Sequence, residues 1–336
     1  MSQDTPRPEQ VMVRIPDMFV SFLAEPPRFN PNYSQVKARS EAWISKYALF
    51  PFIPMLSPTS HTQMGRFCSF DERMSMLISK CDFSYFIAIA APEAGILEFR
   101  TLCDWGNWVF PFDDLFDNGE LRDEPAAAAT ILRSLMSPMS KYQTWQEKNI
   151  SRRERLPIVK VHDTGSSEGV QRRFSKAMAD YCAGALIQVE DLSTHKIPIM
   201  PEEMLKRRQL SAGVSPLFSL VEYAHGLHIP DYVFEHPAIQ EIERLGIDFV
   251  LLMNDTLSYM KEEGESVPHN IVAVARMSGR DAQEAFDYVG NMLESRYDRW
   301  EKAVDMIPHW GEDINKDVER YIRGVADVVR ANLYWR

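Results

Sequence analysis

The stretch LCDWGNWVFPFDDLFD, residues 102–117, decides how this chain is read. Leu97, Leu102, Trp105 and Trp108 fall at intervals of three to five, the spacing of a helix with one apolar face. The stripe runs without a break into Asp113-Asp114-Leu115-Phe116-Asp117. Asp113 and Asp117 are four apart and share a face, while Asp114 points roughly 100° away round the helix. Asn118-Gly119 reads as the helix stop, since both residues tolerate left-handed backbone. Three carboxylates then crowd a helix C-terminus, where the macrodipole is already negative. Like charges there call for a cation, and hard oxygen ligands suit magnesium. A solvated acidic helix end leading into a loop would give the same pattern. The aromatic run ahead of it, including Phe110 and Phe112, favours a cavity.

A second cluster lies about 140 residues further on, in Asn254-Asp-Thr-Leu-Ser258-Tyr-Met-Lys261-Glu262. Asn254, Ser258 and Glu262 follow an i, i+4, i+8 pattern spanning about 12 Å along a helix axis. Helical side chains lean toward the N-terminus, so the long Glu262 can reach back toward Ser258 and Asn254. An amide oxygen, a hydroxyl and a carboxylate gathered in this way suit magnesium that arrives with phosphate oxygens as its remaining ligands. Lys261 adds a cation nearby. The preceding Ile247–Met253 run is too apolar for a surface helix, which makes this helix central. A polar patch at the exposed end of a core helix is the alternative.

Working outward, most of the 336 residues read as helix and convincing strand alternation is absent. Leu217, Leu220, Val221 and His225 repeat the helical spacing, and 236–263 and 281–304 read as long helices. Residues 117–125 and 160–169 have turn chemistry. Pro-rich residues 1–35 read as an irregular strap, and 36–336 as the domain that carries both clusters. The expectation is an all-α, single-domain bundle of about a dozen helices around a central apolar cavity. Apolar residues make up 45% and charged residues 25%, ordinary for a soluble globular chain. The net charge of −11 excludes a basic nucleic-acid surface and requires any phosphate site to reverse the sign locally. Cys68, Cys81, Cys103 and Cys182 form no CxxC pair, and the eight histidines show no ligand spacing, which disfavours zinc. The N-terminus reads as neither signal nor transit peptide, and no run approaches a membrane span. A cytoplasmic location is expected.

With both motifs in order, the chain resembles class I terpene cyclases, most closely the sesquiterpene synthases of fungi. The resemblance rests on Trp108-Val-Phe-Pro-Phe-Asp113-Asp-Leu-Phe-Asp117, on Asn254-Asp-x-x-Ser258-Tyr-x-Lys261-Glu262 and on Arg207-Arg208 in KRRQLSAG, and covers nearly the whole chain. It implies an all-helical fold, three Mg2+ ions with Mn2+ able to substitute, and farnesyl diphosphate or another isoprenoid diphosphate as substrate. Asp113 and Asp117 would ligate metal with Asp114 in support, and Asn254, Ser258 and Glu262 would hold another ion. Arg208 matches the family's diphosphate-sensing arginine, Lys261 would contact the diphosphate, and Ser211 and Ala212 fall at the linker and effector positions. The family's C-terminal Arg-Tyr pair has no counterpart after Asn332-Leu-Tyr-Trp335, and Arg320-Tyr321 comes too early.

Neutralised diphosphate is a leaving group, and the allylic cation it leaves must be kept from water. Phe86, Trp105, Trp108 and Trp335 are candidate cavity aromatics, although core packing is the commoner role for each. The expected product is a sesquiterpene hydrocarbon or alcohol, from a monomer or homodimer. The rival readings are a geranyl diphosphate (monoterpene) or acyclic-alcohol synthase, an all-α prenyltransferase, which would carry two aspartate-rich motifs, and a non-catalytic helical scaffold. No DxDD is present, which disfavours proton-initiated cyclisation.

Overall fold

The computed structural model describes residues 11–47, 72–117, 119–140, 166–265 and 267–335, and no strand occurs among them. Asn118, Cys68, residues 1–10 and most of the 160–169 turn lie outside the described residues. Thirteen α-helices lie among the described residues. They are α1 (Tyr33–Tyr47), α2 (Glu72–Cys81), α3 (Phe83–Ala90), α4 (Ile96–Asp117), α5 (Pro125–Ser140), α6 (Glu168–Thr194) and α7 (Pro201–Ser211). Then follow α8 (Val214–Ala224), α9 (Asp231–Phe234), α10 (Pro237–Gly264), α11 (Ile271–Met277), α12 (Ala282–Asp305) and α13 (Glu312–Tyr334).

Local chemistry fixes several ends. Ser167 caps α6 by accepting the Val170 N–H at 3.2 Å, and Asp281 with Glu284 forms a reciprocal capping box on α12. Pro201 and Pro237 open α7 and α10 at positions where no N–H is needed. α10 is central, as its apolar run predicts: Ile247–Met253 is wholly buried, and the helix packs on α7, α8, α11, α12 and α13.

Six helices close a ring in which each packs on the next, in the order α3, α4, α6, α7, α10, α13 and back to α3. α8, buried at nearly every position, packs against α4, α6, α10 and α13. One contiguous apolar cluster runs from Met18 to Leu333, so the described residues share a single core. The all-α, single-domain class is therefore observed.

Three sequence readings need adjustment. Leu97 is 71% exposed and so does not belong to the buried stripe. His225 lies one residue past the end of α8. Gly119 follows α4 not through left-handed backbone, since it is absent from the positive-φ residues, but through close approach. A Cβ there would stand 2.7 Å from the Asp114 carbonyl oxygen, which accepts the Gly119 N–H at 2.8 Å. Among the described residues no helix is long and apolar enough to cross a membrane.

Candidate active site

Three helix C-termini meet at one end of the ring: the last turn of α4 with Asp113–Asp117, the end of α7 with Arg208, and the second half of α10 with Asn254–Glu262. Each contributes the negative pole of its dipole, so acidic clusters and macrodipoles add in the same sense.

Arg208 joins the two clusters. Its Nη2 lies 2.9 Å from Asp255 Oδ1 on α10, its Nη1 donates to the His269 carbonyl, and its Nε has no partner. Burial works against the guanidinium charge, but Asp255, Glu262, Asp117 and Asp113 together outweigh it and raise its pKa. Carboxylates of α4 and α10 thus face the same cation. Arg207, its neighbour in sequence, turns away to Asp191 at 2.7 Å and to Glu203. Only Arg208 of the pair reaches the site.

Burial raises the pKa of Asp113, with Asp117 and Asp114 adding to the rise, although Tyr181 donates to its Oδ1 at 2.8 Å. Asp117 is raised for the same first reason, against the pull of Arg208 and the Gln188 amide that donates to it. Asp114 is pushed up to about 6 by burial and by Asp117. By accessible surface Asp113 and Asp117 are half-buried and Asp114 is exposed, yet loss of hydration leads the rise in all three. Side chains that touch solvent while surrounded by protein mass line a recess.

On α10 the expected face is present. Ser258 Oγ donates to the Asn254 carbonyl at 2.7 Å and lies 3.3 Å from Asn254 Oδ1. Glu262 does not reach back to them; its Oε2 accepts from Asn270 Nδ2 at 2.9 Å. Asn270 also donates to the Asp255 carbonyl and caps α11 through its Oδ1. Lys261 is exposed, 4.0 Å from Glu265. Ser211 Oγ donates to Gln188 Oε1 at 2.9 Å. Ala212 ends α7 by donating to the Arg208 carbonyl at 3.0 Å, and Gly213, at φ 66°, turns the chain into α8.

The aromatic candidates divide. Phe86 and Trp335 belong to one wall with Phe83 and Phe110: Phe83 stacks on Phe110 at 4.4 Å, and Trp335 lies 5.3 Å from Phe110. Trp335 Nε1 donates to the Cys81 carbonyl at 2.6 Å. The Cys81 thiol is raised by burial and then by the Asp114 charge, which places the wall beside the carboxylates. Phe110 sits about 60° from Asp113 around α4, whereas Trp108 is about 140° away. Trp108 stacks on Phe112 at 4.8 Å, and it and Trp105 are buried in the core. Arg320 and Tyr321 engage His225, Asp317 and Glu243, none of them in this cluster.

Among the described residues no group of three or more Asp, Glu, His or Cys is arranged to hold a metal ion. The donors nonetheless fit one. They are hard oxygens, Asp113 and Asp117 are raised first by burial, and the neighbouring carboxylates of Asp117 and Asp114 add to the rise at Asp113. An ion bound here would complete its shell with oxygens that the protein does not supply.

Sequence reasoning missed Tyr181, Gln188, Asp255, His269 and Asn270. Tyr181 and Gln188 are seven apart on one face of α6, a weak signal without knowledge of what faces it. His269 acts through its backbone carbonyl, which leaves no trace in sequence.

The comparisons with known proteins agree with this geometry. Residues 104–299 match the family profile described as terpene synthase family 2, C-terminal metal binding. The chain is 35% identical to silphinene synthase of Penicillium patulum, covering 97% of this chain and 84% of that one. It is 28% identical to a sesquiterpene synthase of Cyclocybe aegerita over 96% of this chain and 86% of the relative. In fold it is similar to the crystal structure of an α-eudesmol synthase, with TM-score 0.72 at 18% identity, covering 97% and 98% of the two chains. The chain belongs to the terpene synthase family. It is a class I enzyme of the fungal sesquiterpene synthase kind, with a metal-binding domain.

Proposed function

We propose that this terpene synthase ionises farnesyl diphosphate with the help of Mg2+, giving a sesquiterpene hydrocarbon or alcohol. The observation that carries the reading is Arg208, held by Asp255 on α10 and flanked electrostatically by Asp113, Asp117 and Glu262. It sits where a diphosphate would lie between the α4 and α10 carboxylates. Kinship to a chain named a sesquiterpene synthase supports the fifteen-carbon substrate.

Bound divalent ions supply the Lewis acidity that makes diphosphate a leaving group. Asp113 and Asp117, with Asp114 beside them, would hold ions on one side, and Asn254, Ser258 and Glu262 on the other. Arg208 offers its unpartnered Nε and its fixed positive charge to the departing oxygen, a pre-arranged electrostatic contribution. Lys261, at the rim, adds charge as the diphosphate separates. The Phe83–Phe86–Phe110–Trp335 wall presents aromatic faces to the allylic cation, each contributing on the order of 1–2 kcal/mol, and excludes water.

The test is incubation of the purified chain with Mg2+ and either farnesyl or geranyl diphosphate, followed by gas chromatography of the headspace. A volatile C15 product from farnesyl diphosphate, abolished in Asp113→Ala and Asn254→Ala variants that remain folded, is expected. A C10 product with none from farnesyl diphosphate would overturn the substrate. Normal output from either variant would remove that residue from the mechanism.

A further inference from the structure

Gln188 is 6% exposed and lies in the interior between α4, α6 and α7. Its Nε2 donates to Asp117 Oδ1, and its Oε1 accepts from Ser211 Oγ at 2.9 Å. Ser211 is itself 8% exposed. One rigid amide plane therefore has its donor on a carboxylate at the end of α4 and its acceptor on the residue where α7 breaks. The packing that brings these three together is specific. Gly184, one turn before Gln188 on α6, leaves no room for a Cβ, which would stand 2.6 Å from the Leu210 carbonyl carbon and from the Ser211 amide nitrogen. The end of α7 is thereby seated directly on α6. Arg208 lies in the same last turn as Ser211, and its carbonyl accepts the Ala212 N–H that ends the helix.

We propose that Gln188 is a positioning residue that fixes the Asp117 carboxylate for a divalent cation and links that carboxylate, through Ser211, to the helix end carrying Arg208. This rests on the reading of Asp117 as a metal-side carboxylate. The amide holds one lone-pair direction of Asp117 and so leaves the other oriented toward the recess. Any rotation of Asp117 on taking up an ion turns the amide plane, and both of its ends move together. Ser211 then shifts, and Arg208, three residues back, shifts with it. A role in burial alone would need only that each polar atom find some partner, and would give no coupling between Asp117 and Ser211.

The test uses the full chain, with Mg2+ and inorganic diphosphate as probes in a thermal melt and with farnesyl diphosphate in steady-state kinetics. Gln188→Leu is expected to raise the Mg2+ concentration for half-maximal diphosphate-induced stabilisation by about tenfold or more, the usual effect of losing an outer partner of a ligand. It should also raise the Mg2+ requirement of turnover more than it lowers kcat at saturating metal. Ser211→Ala should shift the same half-point in the same direction, Ser211→Thr should restore it, and adding Ser211→Ala to Gln188→Leu should change nothing further. If Gln188→Leu does not fold, Ser211→Ala against Ser211→Thr carries the comparison. A half-point unchanged in Gln188→Leu and Ser211→Ala, or additive effects in the double variant, would overturn the inference alone. Absence of any Mg2+-diphosphate stabilisation in the unaltered chain would overturn the metal reading together with it.

Discussion

Arg208 faces carboxylates of both acidic clusters, and its side-chain type matters as much as its charge. The guanidinium reaches Asp255 with one nitrogen and the His269 carbonyl with another, leaving Nε unpartnered. An ammonium cannot span those two acceptors and still face a third. Arg208→Lys should therefore cut kcat/KM by about a hundredfold, as loss of one pre-arranged oxyanion donor does, and steady-state kinetics will read it. It should also lower stability by about 1–3 kcal/mol, because Asp255 is fully buried and loses the guanidinium nitrogen that lies 2.9 Å from its Oδ1. The acidic residues give a second expectation. Their folded pKa values are raised, Asp114 to about 6, so between the unfolded value of 3.8 and that point the folded chain binds more protons than the unfolded one. Metal-free stability thus falls as pH rises through this window, whereas cation uptake needs the ionised form and improves. Melts from pH 5 to 7.5, with and without Mg2+ and diphosphate, should slope in opposite directions at the acid end. Matching slopes would mean that these carboxylates do not meet the ion. At this scale the sequence reveals charged ligands at helical spacing. It hides the groups that hold them, because Tyr181, Gln188 and Asn270 become partners only when distant helices pack.

Helices were legible where their ends are set by local chemistry. The expected segments 236–263 and 281–304 are observed as Pro237–Gly264 and Ala282–Asp305, each anchored by a proline or a capping box. Leu97 shows the limit of periodicity, because a helix that emerges from the core at its first turn leaves an apolar residue outside. Close helix contacts were not legible either, and Gly184 is the clearest example. In sequence it is a glycine inside a helix, intrinsically a weakness; in the fold it is the point where α7 meets α6. Gly184→Ala would gain helix propensity at that position. It must also displace the Leu210 and Ser211 backbone, which a Cβ would approach to 2.6 Å. Overpacking against backbone costs about 1–3 kcal/mol, which exceeds the propensity gain of about 1 kcal/mol. The variant should therefore denature at lower urea concentration. It should also need more Mg2+ for turnover, because Ser211 and Arg208 move together. An increase in stability would show that α7 can slide without strain.

Across the whole molecule, catalytic charge and most of the aromatic wall occupy different supports, with Phe110 on α4 the member they share, and this separation makes the two experimentally distinguishable. The metal-side groups stand on the C-termini of α4, α7 and α10. The wall stands largely on α3 and on the end of α13. Residues 11–32 brace those two helices. Arg330 of α13 donates to the Phe22 carbonyl at 3.1 Å, and Arg28 lies 2.7 Å from Asp327. Phe22 packs on Trp300 at 4.7 Å. Asn30, fully buried, binds the C-terminal end of α3: its N–H goes to the Ala88 carbonyl at 2.9 Å, and its Nδ2 to the Ala91 and Ala94 carbonyls at 2.8 and 3.0 Å. Ala88 lies in the last turn of α3, whose carbonyls have no partner within the helix, and Ala91 and Ala94 lie in the turn just past it. Asn30→Ala strips the side-chain donor from two of them and should cost about 2–3 kcal/mol of stability, readable in urea denaturation. Its functional effect should fall on the wall alone. With α3 less firmly seated, Phe83 and Phe86 pack less tightly on Phe110 and Trp335, and water reaches the cation more often. The ratio of terpene alcohol to hydrocarbon should rise, while the Mg2+ half-saturation of diphosphate-induced stabilisation stays at the value of the unaltered chain. A shift in metal half-saturation with no change in product ratio would instead tie residues 11–32 to the charged end of the ring, and the division between the two supports would fail.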